Sequence, residues 1–207
     1  MLFRSLGDRH AAFLAGSGEG SPTEVAVAAL DNGRIVRRLS RTRGLLIESL
    51  ASSPDGKTIY YAASGSIWAI PAEDGEPRRL TAGEGVAAHP RGTEIVVQRN
   101  ERDGARLFRV SLQGGAEREV PFPGPLRKHT QPITSNAVRD DGRIVVLANS
   151  ADSYWNQIVI LDPKTGKAEH VPVQHSGDIF APGWAPDGRI LATGAPLKAA
   201  LWRFSGK

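Results

Sequence analysis

The sequence predicts an all-β fold, a β-propeller made of four-stranded antiparallel blades. The main observation is a recurring unit, a tight turn followed by an apolar strand. Its clearest copy is the turn at 53–56 with the strand at 58–63, and related copies start at His89, Arg139 and Ala185. A unit that returns every few tens of residues is typical of propellers and solenoids.

Turn chemistry and strand composition support this fold independently. Pro54 sets φ in advance, Asp55 can hydrogen-bond to its own backbone and Gly56 accepts a positive φ, so this sequence favours a tight turn. The segment 144–148, Ile-Val-Val-Leu-Ala, is apolar on both sides, which predicts a sheet covered on both faces. No stretch has a sustained 3.6-residue apolar period, so almost no helix is expected.

One domain, 1–207, is expected, with the fifth repeat incomplete. The repeats are placed at about 1–40, 45–81, 85–122, 133–173 and 179–205. Repeat four should begin with a strand at 133–138, and repeat five should have three strands, at 179–185, 189–194 and 199–204. This count predicts an open arc, the C-terminal part of a propeller of six or more blades, that self-associates through its exposed strand edges or is only marginally stable.

Composition and charge exclude several functional classes. The 207 residues include no cysteine, which excludes disulfides, thiolate metal sites and cysteine nucleophiles. The net charge of +4 permits anionic partners without requiring them, and no nucleic acid partner is expected. No apolar run approaches the roughly 20 residues of a membrane helix, and the start lacks the pattern of a secretory signal.

The repeat at 53–81 carries a family resemblance. It reads Ser-Pro-Asp-Gly-Lys-x-Ile-x-Tyr, then Ser-Ile-Trp-Ala-Ile-Pro, then Glu-Pro-Arg-Arg-Leu-Thr. This pattern resembles the repeat of TolB-type propellers, which are relatives of the Trp-Asp repeat proteins. The resemblance extends over nearly the whole chain and implies a propeller fold.

A second, narrower resemblance concerns the C-terminal half. This part of the chain is similar to the end of the propeller in bacterial eukaryotic-type serine/threonine kinases. The positions that carry the likeness are Ser135, 153–155, 160–162, 184–188 and 201–204. There the propeller follows a kinase domain and a membrane segment, and the resemblance implies a sensor or interaction module. Such a module would be extracytoplasmic, and the chain would otherwise be cytoplasmic.

Catalytic motifs are missing from the sequence. It contains no Gly-x-Ser-x-Gly elbow, no kinase phosphate loop, no His-Arg-Asp and no Asp-Phe-Gly. The five histidines lack the spacing of a metal site, and each Asp-Gly turn offers one carboxylate where calcium needs six to eight oxygens. We therefore expect no enzymatic activity, no cofactor and no metal.

The densest basic run is 37–43, Arg-Arg-Leu-Ser-Arg-Thr-Arg. The favoured interpretation is a charged outer strand that blocks edge-to-edge pairing, followed by a solvated loop. Contact with phosphates or lipid head groups is an alternative. Arg-Arg-Leu-Ser also resembles a substrate motif of basophilic kinases at Ser40.

The four tryptophans are assigned different places in the blades. Trp68 and Trp202 share a position on the third strand of their repeats, which predicts packing between blades, and Trp184 is expected in the core. Trp155 is predicted in a loop between second and third strands. There it could form a stacking surface or cap the edge of the core.

Long, irregular loops predict the binding face. In a propeller, the loops that enter the blades and those between second and third strands share one face, and long loops on a rigid scaffold commonly carry function. The longest is 123–132, expected beside 152–155 and 174–178. The predicted ligand-binding residues are Arg127, Lys128, His129, Asp152, Tyr154, Trp155 and His175.

The predicted function is a non-catalytic module that binds a protein partner or a small ligand, like the sensor region of a bacterial receptor-type kinase. A free-standing TolB-like periplasmic scaffold for protein interactions is the first alternative. The propeller part of a hydrolase or lyase is a more distant one.

Overall fold

The computed structural model describes residues 3–16, 23–124, 126–150, 153–175 and 177–196. This part of the chain is all β, with strands β1–β18 and one 3₁₀ turn, Ser40–Thr42, and it contains no α-helix. The predicted fold class is confirmed: successive antiparallel sheets follow one another along the chain. We call these sheets blades one to five.

Blades one and two have the expected four strands in chain order. Blade one contains β1 (Phe3–Leu6), β2 (His10–Ala15), β3 (Glu24–Ala29) and β4 (Ile35–Leu39). Blade two contains β5 (Ile47–Ser52), β6 (Thr58–Ala63), β7 (Ser66–Pro71) and β8 (Arg78–Ala82). The β3–β4 hairpin turns at Asn32 and Gly33, with Gly33 at φ 70° and the Asn32 side chain accepting from the Arg34 amide at 2.9 Å.

Blades three and four form one continuous sheet. Blade three contains β9 (Gly85–Ala88), β10 (Glu94–Glu101), β11 (Gly104–Ser111) and β12 (Arg118–Val120). A two-residue strand, β13 (Arg127–Lys128), pairs with β11 on one side and with β14 of blade four on the other. Blade four contains β14 (Ile144–Ser150), β15 (Ser153–Leu161) and β16 (Ala168–His170).

The prediction of a strand at 133–138 is wrong. In this stretch only Val138 forms a bridge, to Ile144, and the Ala137 carbonyl accepts from the Val145 amide at 2.8 Å. The chain instead follows a loop whose first amide, that of Ile133, donates to the buried Gln98 side chain at 3.0 Å. The inner strand of blade four is therefore reduced to a short contact.

Blade five contains β17 (Gly177–Trp184) and β18 (Ile190–Pro196). Both strands were predicted, with bounds that differ by a few residues. A bulge between Phe180 and Gly183, with Ala181 at φ 49°, interrupts their pairing. The third strand expected at 199–204, including Trp202, lies outside the described residues.

Apolar clusters between neighbouring blades form the core. On β6, Ile59 and Tyr61 point into a cluster shared with blade one, whereas Tyr60 and Ala62 point into a cluster shared with blade three. Blades three and four share a further cluster, and Ile179 of blade five packs on β14 and β15. This explains the strands that are apolar on both sides. Trp68 is half-buried and packs against the cluster between blades one and two.

The Asp-Gly turns nest against one another. A Cβ placed on Gly56 would lie 3.0 Å from the Gly7 nitrogen and the Leu6 carbonyl carbon, so the second turn sits on the first. Gly92 likewise lies against Pro54, and Gly142 against His89. This stack brings the first strands of consecutive blades side by side.

Candidate binding surfaces

The two faces of the propeller differ in construction. We call the face that carries the Asp-Gly turns the turn face, and the face with the longer connections the loop face. The sequence placed the candidate ligand site on the loop face.

Arg127 and Lys128 form strand β13 on the loop face. Arg127 pairs with Asn149, and Lys128 pairs with Ala148 and Ala105. The Arg127 side chain is exposed, and its Nη1 donates to the Leu126 carbonyl at 3.2 Å. Of the two predicted cations, Arg127 therefore faces solvent.

Lys128 is buried rather than offered to a ligand. It is 2% exposed, and its ammonium donates to the His129 carbonyl and, at 2.9 Å, to the Gln131 carbonyl. Burial lowers the pKa of Lys128 to about 7, because removal from water disfavours the charged form. Its direct role is to hold the loop that follows it.

A second buried side chain anchors the same loop. Gln98 of β10 is 0% exposed, and its Nε2 donates to the Thr130 carbonyl at 2.8 Å. Its Oε1 accepts from the Ile133 amide at 3.0 Å. The loop from His129 to Ile133 is thus tied to blade three by Gln98 and to its own backbone by Lys128.

His129 is half-buried on this loop. Its Nδ1 accepts from the Gln131 amide at 2.9 Å, which leaves Nε2 as the nitrogen that can meet a ligand. Burial first, and then the Lys128 charge, lower the pKa of His129, while Asp178 acts in the opposite direction. That interaction supports the predicted closeness of this loop to the start of β17.

Trp155 lies in a strand and not in a loop, so this prediction is wrong. Its strand β15 begins at Ser153, and the connection from β14 is two residues long. The ring is half-buried, and the Trp155 carbonyl accepts from the Ser153 hydroxyl at 3.0 Å. Since β14 separates β15 from β13, Trp155 and Arg127 lie two strand spacings apart, roughly 10 Å.

The remaining predicted residues lie near this region or outside the described chain. Tyr154 is on β15, and Asp152 lies outside the described residues. His175 is exposed and its ring lies over Gly194, where an added Cβ would be 2.9 Å away from it. The structure therefore places Arg127, His129 and Trp155 near the junction of blades three and four, and His175 on the connection to blade five.

The turn face carries a crevice that the sequence did not predict. Its volume is about 540 Å³, and it lies among the inner ends of blades three, four and five. Arg139 and Trp184 are its main side chains, with the Arg139 guanidinium 5.2 Å from the centre of the Trp184 ring. Pro90, Asp140 and Pro186 contribute to its rim.

One signal could have revealed this crevice. In the aligned repeats, the residue just before the turn is Ser52, Ala88 and Val138, and in the fifth it is Trp184. A large aromatic residue where other repeats have small or aliphatic ones indicates a different environment. Trp184, predicted in the core, is half-buried at the edge of the core of blade five and lines the crevice.

Two negative findings concern the described residues alone. Within those ranges, no three or more histidines and carboxylates are grouped as a metal ion would require. In the same part of the chain, no helix has the length and apolar character needed to cross a membrane.

No family model matches the sequence, and no curated protein matches it. The similarity is found among solved structures. TolB from Acinetobacter baumannii superimposes with a TM-score of 0.67 at 19% identity, covering 89% of this chain and 45% of its own. The chain thus spans less than half the length of that TolB structure.

Two further structures show the same likeness. A structure of the nidogen/laminin complex has a TM-score of 0.64 at 14% identity, covering 90% of this chain and 70% of the matched one. The β-propeller domain of the Trilobed protease from Pyrococcus furiosus has a TM-score of 0.52 at 16% identity, covering 96% and 64%. At these identities the likeness concerns the fold alone, and the fold is that of a β-propeller.

Proposed function

We propose that this chain is a non-catalytic binding module that holds a protein partner or a small ligand on its loop face. The supporting observation is the loop 129–133, which two buried polar side chains fix from below. Burying a lysine is costly, and buried ionisable groups cluster at functional sites. Here the buried groups fix a surface loop that carries His129 and directly follows β13, the strand of Arg127.

Rigidity matters because binding must overcome the entropy of ordering loops and side chains. A loop that is already fixed loses little freedom when a ligand arrives. His129 supplies one free ring nitrogen, Arg127 an exposed guanidinium, and Trp155 a half-buried ring on the same blade. A cation, an imidazole and an aromatic ring suit a polar or acidic ligand with an apolar part.

The identity of the larger system is a separate part of the proposal. The resemblance to kinase-associated propellers favours a sensor region of a bacterial receptor-type kinase. A TolB-like scaffold for protein interactions is the alternative that the solved TolB structure favours. One of the solved structures that this chain resembles is a nidogen/laminin complex, which is an assembly of two proteins.

Catalysis is not part of this proposal, although a protease propeller domain is among the similar structures. The sequence contains no nucleophile elbow and no kinase motif. The purified chain should therefore transfer no phosphoryl group from ATP and cleave no peptide. Transfer of labelled phosphate to casein by the purified chain would contradict this.

The binding proposal can be tested without knowledge of the natural partner. Random peptides displayed on phage are selected on the immobilised full chain, and enriched peptides are synthesised. Their affinities are measured by calorimetry for the parent chain and for Arg127→Ala, His129→Ala and His175→Ala. Loss of a central contact should weaken binding tenfold or more.

Lys57→Ala is the matched control, because Lys57 is an exposed cation on the turn face. It should leave the affinity of a loop-face peptide unchanged. If no peptide is enriched, or if Lys57→Ala weakens binding while the loop-face variants do not, the loop face is not the binding surface.

A further inference from the structure

The crevice on the turn face combines features of a second binding site. It opens between the Asp-Gly turns of blades three to five, on the face opposite to the loop 129–133. Its volume of about 540 Å³ is within the range of sites for small ligands and peptide segments. Its walls are mixed, with the prolines and Trp184 as apolar parts and Arg139 as the cation.

Most N–H donors of the Arg139 guanidinium have no close acceptor among the described residues. Its side chain is 41% exposed, and the nearest carboxylate, that of Asp141, is 3.8 Å from Nε. That carboxylate is held more closely by Arg143, at 2.9 Å. Because a guanidinium has five N–H donors in a fixed fork, most of those on Arg139 remain available for an anion.

Trp184 adds a second donor beside the first. Its Nε1 is buried and has no hydrogen-bond partner in the described part of the chain. The backbone of the same residue is satisfied, since its amide donates to the Asn136 carbonyl at 2.9 Å and its carbonyl accepts from Asn136 Nδ2 at 2.8 Å. A buried donor without a partner is costly, and it is rare enough in folded proteins to require a reason.

We propose that this crevice binds a carboxylate group of an extended peptide, with the Arg139 guanidinium and the Trp184 indole N–H as its donors. The Arg139 guanidinium lies 5.2 Å from the centre of the indole ring, so a carboxylate bound to it lies close to the Trp184 side chain. The Trp184 Nε1 is itself closed to solvent, so it meets the ligand only when the side chains around it move. Pro90 and Pro186 then contact the apolar part of the peptide on either side.

The other charges around the crevice define the specificity. Asp187 is bonded to Arg189 at 2.6 Å, and Asp141 to Arg143, so these two carboxylates are neutralised locally. Asp140 lies on the rim and is exposed. It repels a ligand carboxylate, and its replacement by Asn should strengthen binding severalfold.

The Trp184 indole signal provides the test. Spectra of the ¹⁵N-labelled full chain are recorded at low salt, and this signal is assigned with Trp184→Phe. The probes are N-acetyl-Ala-Pro-Asp-amide, its isosteric partner N-acetyl-Ala-Pro-Asn-amide, and N-acetyl-Ala-Pro-Ala with a free C-terminus. The first and third separate a side-chain carboxylate from a terminal one.

A saturable shift of the Trp184 signal is expected with at least one carboxylate peptide, at millimolar concentrations, and not with the carboxamide. Arg139→Gln should weaken this binding at least tenfold. Arg91→Gln, an exposed arginine on the same face that does not line the crevice, should leave it unchanged. The proposal is overturned by an equal response to the carboxamide, by an unchanged affinity in Arg139→Gln, or by no shift with either carboxylate.

Discussion

Two joints between blades of this molecule are built differently. The first joint, between blades one and two, has nested turns and an outer row of ion pairs. The third joint, between blades three and four, has strand β13 and buried polar side chains. The two serve the same purpose, which is to hold one blade against the next.

Charge complementarity marks the outer part of the first joint. Arg37 donates to the Ala72 carbonyl at 2.9 Å and pairs with Glu73 at 2.7 Å. Asp74 accepts from the Ser40 amide at 3.0 Å, and Arg41 pairs with Glu76. Arg37, Ser40 and Arg41 of the basic run 37–43 thus connect blades one and two, an arrangement that the edge-protection interpretation did not include.

The third joint uses desolvated groups instead. Gln98 and Lys128 are both buried, and together they satisfy carbonyls and an amide of one irregular loop. Surface ion pairs cost little and contribute little, whereas buried polar groups are costly unless they are satisfied. We infer that the third joint depends on pH and the first joint on salt.

The largest expected effect concerns Lys128. Its pKa is about 7 in the fold and about 10.4 in an unfolded chain. Between these values the unfolded state binds more protons, so the free energy of unfolding should rise with pH, by up to about 1.4 kcal/mol per unit. Below pH 7 the burial penalty is fully present, and above about pH 10.4 it is gone.

Lys128→Met provides the reference, because all other titrating groups are shared and cancel in the difference. Urea unfolding of both proteins between pH 7 and pH 10 should show the parent gaining about 4 kcal/mol relative to the variant, as an upper limit. Parallel stability curves for the two proteins would show that the ammonium is hydrated and that the third joint is not desolvated.

The difference between the joints explains what the sequence could predict. The turn at 53–56 and the strand at 58–63 of blade two were predicted with their bounds, since turn residues and strand patterns are local signals. The first strand of blade four, expected at 133–138, was predicted wrongly. Gln98 accepts from the Ile133 amide although the two residues are 35 positions apart, and such a contact leaves no repeating pattern in the sequence. Nothing in the residue types at 133–138 shows that this stretch will form a loop whose Ile133 amide donates to Gln98.

The candidate sites follow the same logic. Loop length pointed to Arg127, His129 and His175, but burial of Lys128 depends on three-dimensional packing that the sequence does not show. Trp155 was placed in a loop because the pattern does not show where β15 begins. The crevice at Arg139 and Trp184 was missed because it is assembled from segments of three blades that lie far apart in the sequence, and Trp184 alone stands out among them.

A smaller effect is expected for the nested turns of the first joint. Gly56 and Gly188 both have positive φ, 69° and 81°, which costs an alanine about 1–2 kcal/mol. An added Cβ at Gly56 would also meet Leu6 and Gly7 backbone at 3.0 Å, whereas at Gly188 it would meet nothing within 4 Å. Thermal melts should therefore show Gly56→Ala as clearly less stable than Gly188→Ala. Equal midpoints would mean that the first two turns separate at no cost.

The smallest effect belongs to the ion pair between Arg37 and Glu73. The two side chains are 32% and 80% exposed, so water screens their attraction. A double-mutant cycle with Arg37→Gln and Glu73→Gln should give a coupling energy of about 0.2–1 kcal/mol, and this should fall as salt is raised from 0.05 to about 0.5 M. Arg37 also donates to the Ala72 carbonyl, so the arginine variant alone should cost more than the glutamate variant alone. A coupling that is large and insensitive to salt would place this pair in a dry interface. The first joint would then be desolvated like the third, and the contrast between them would fail.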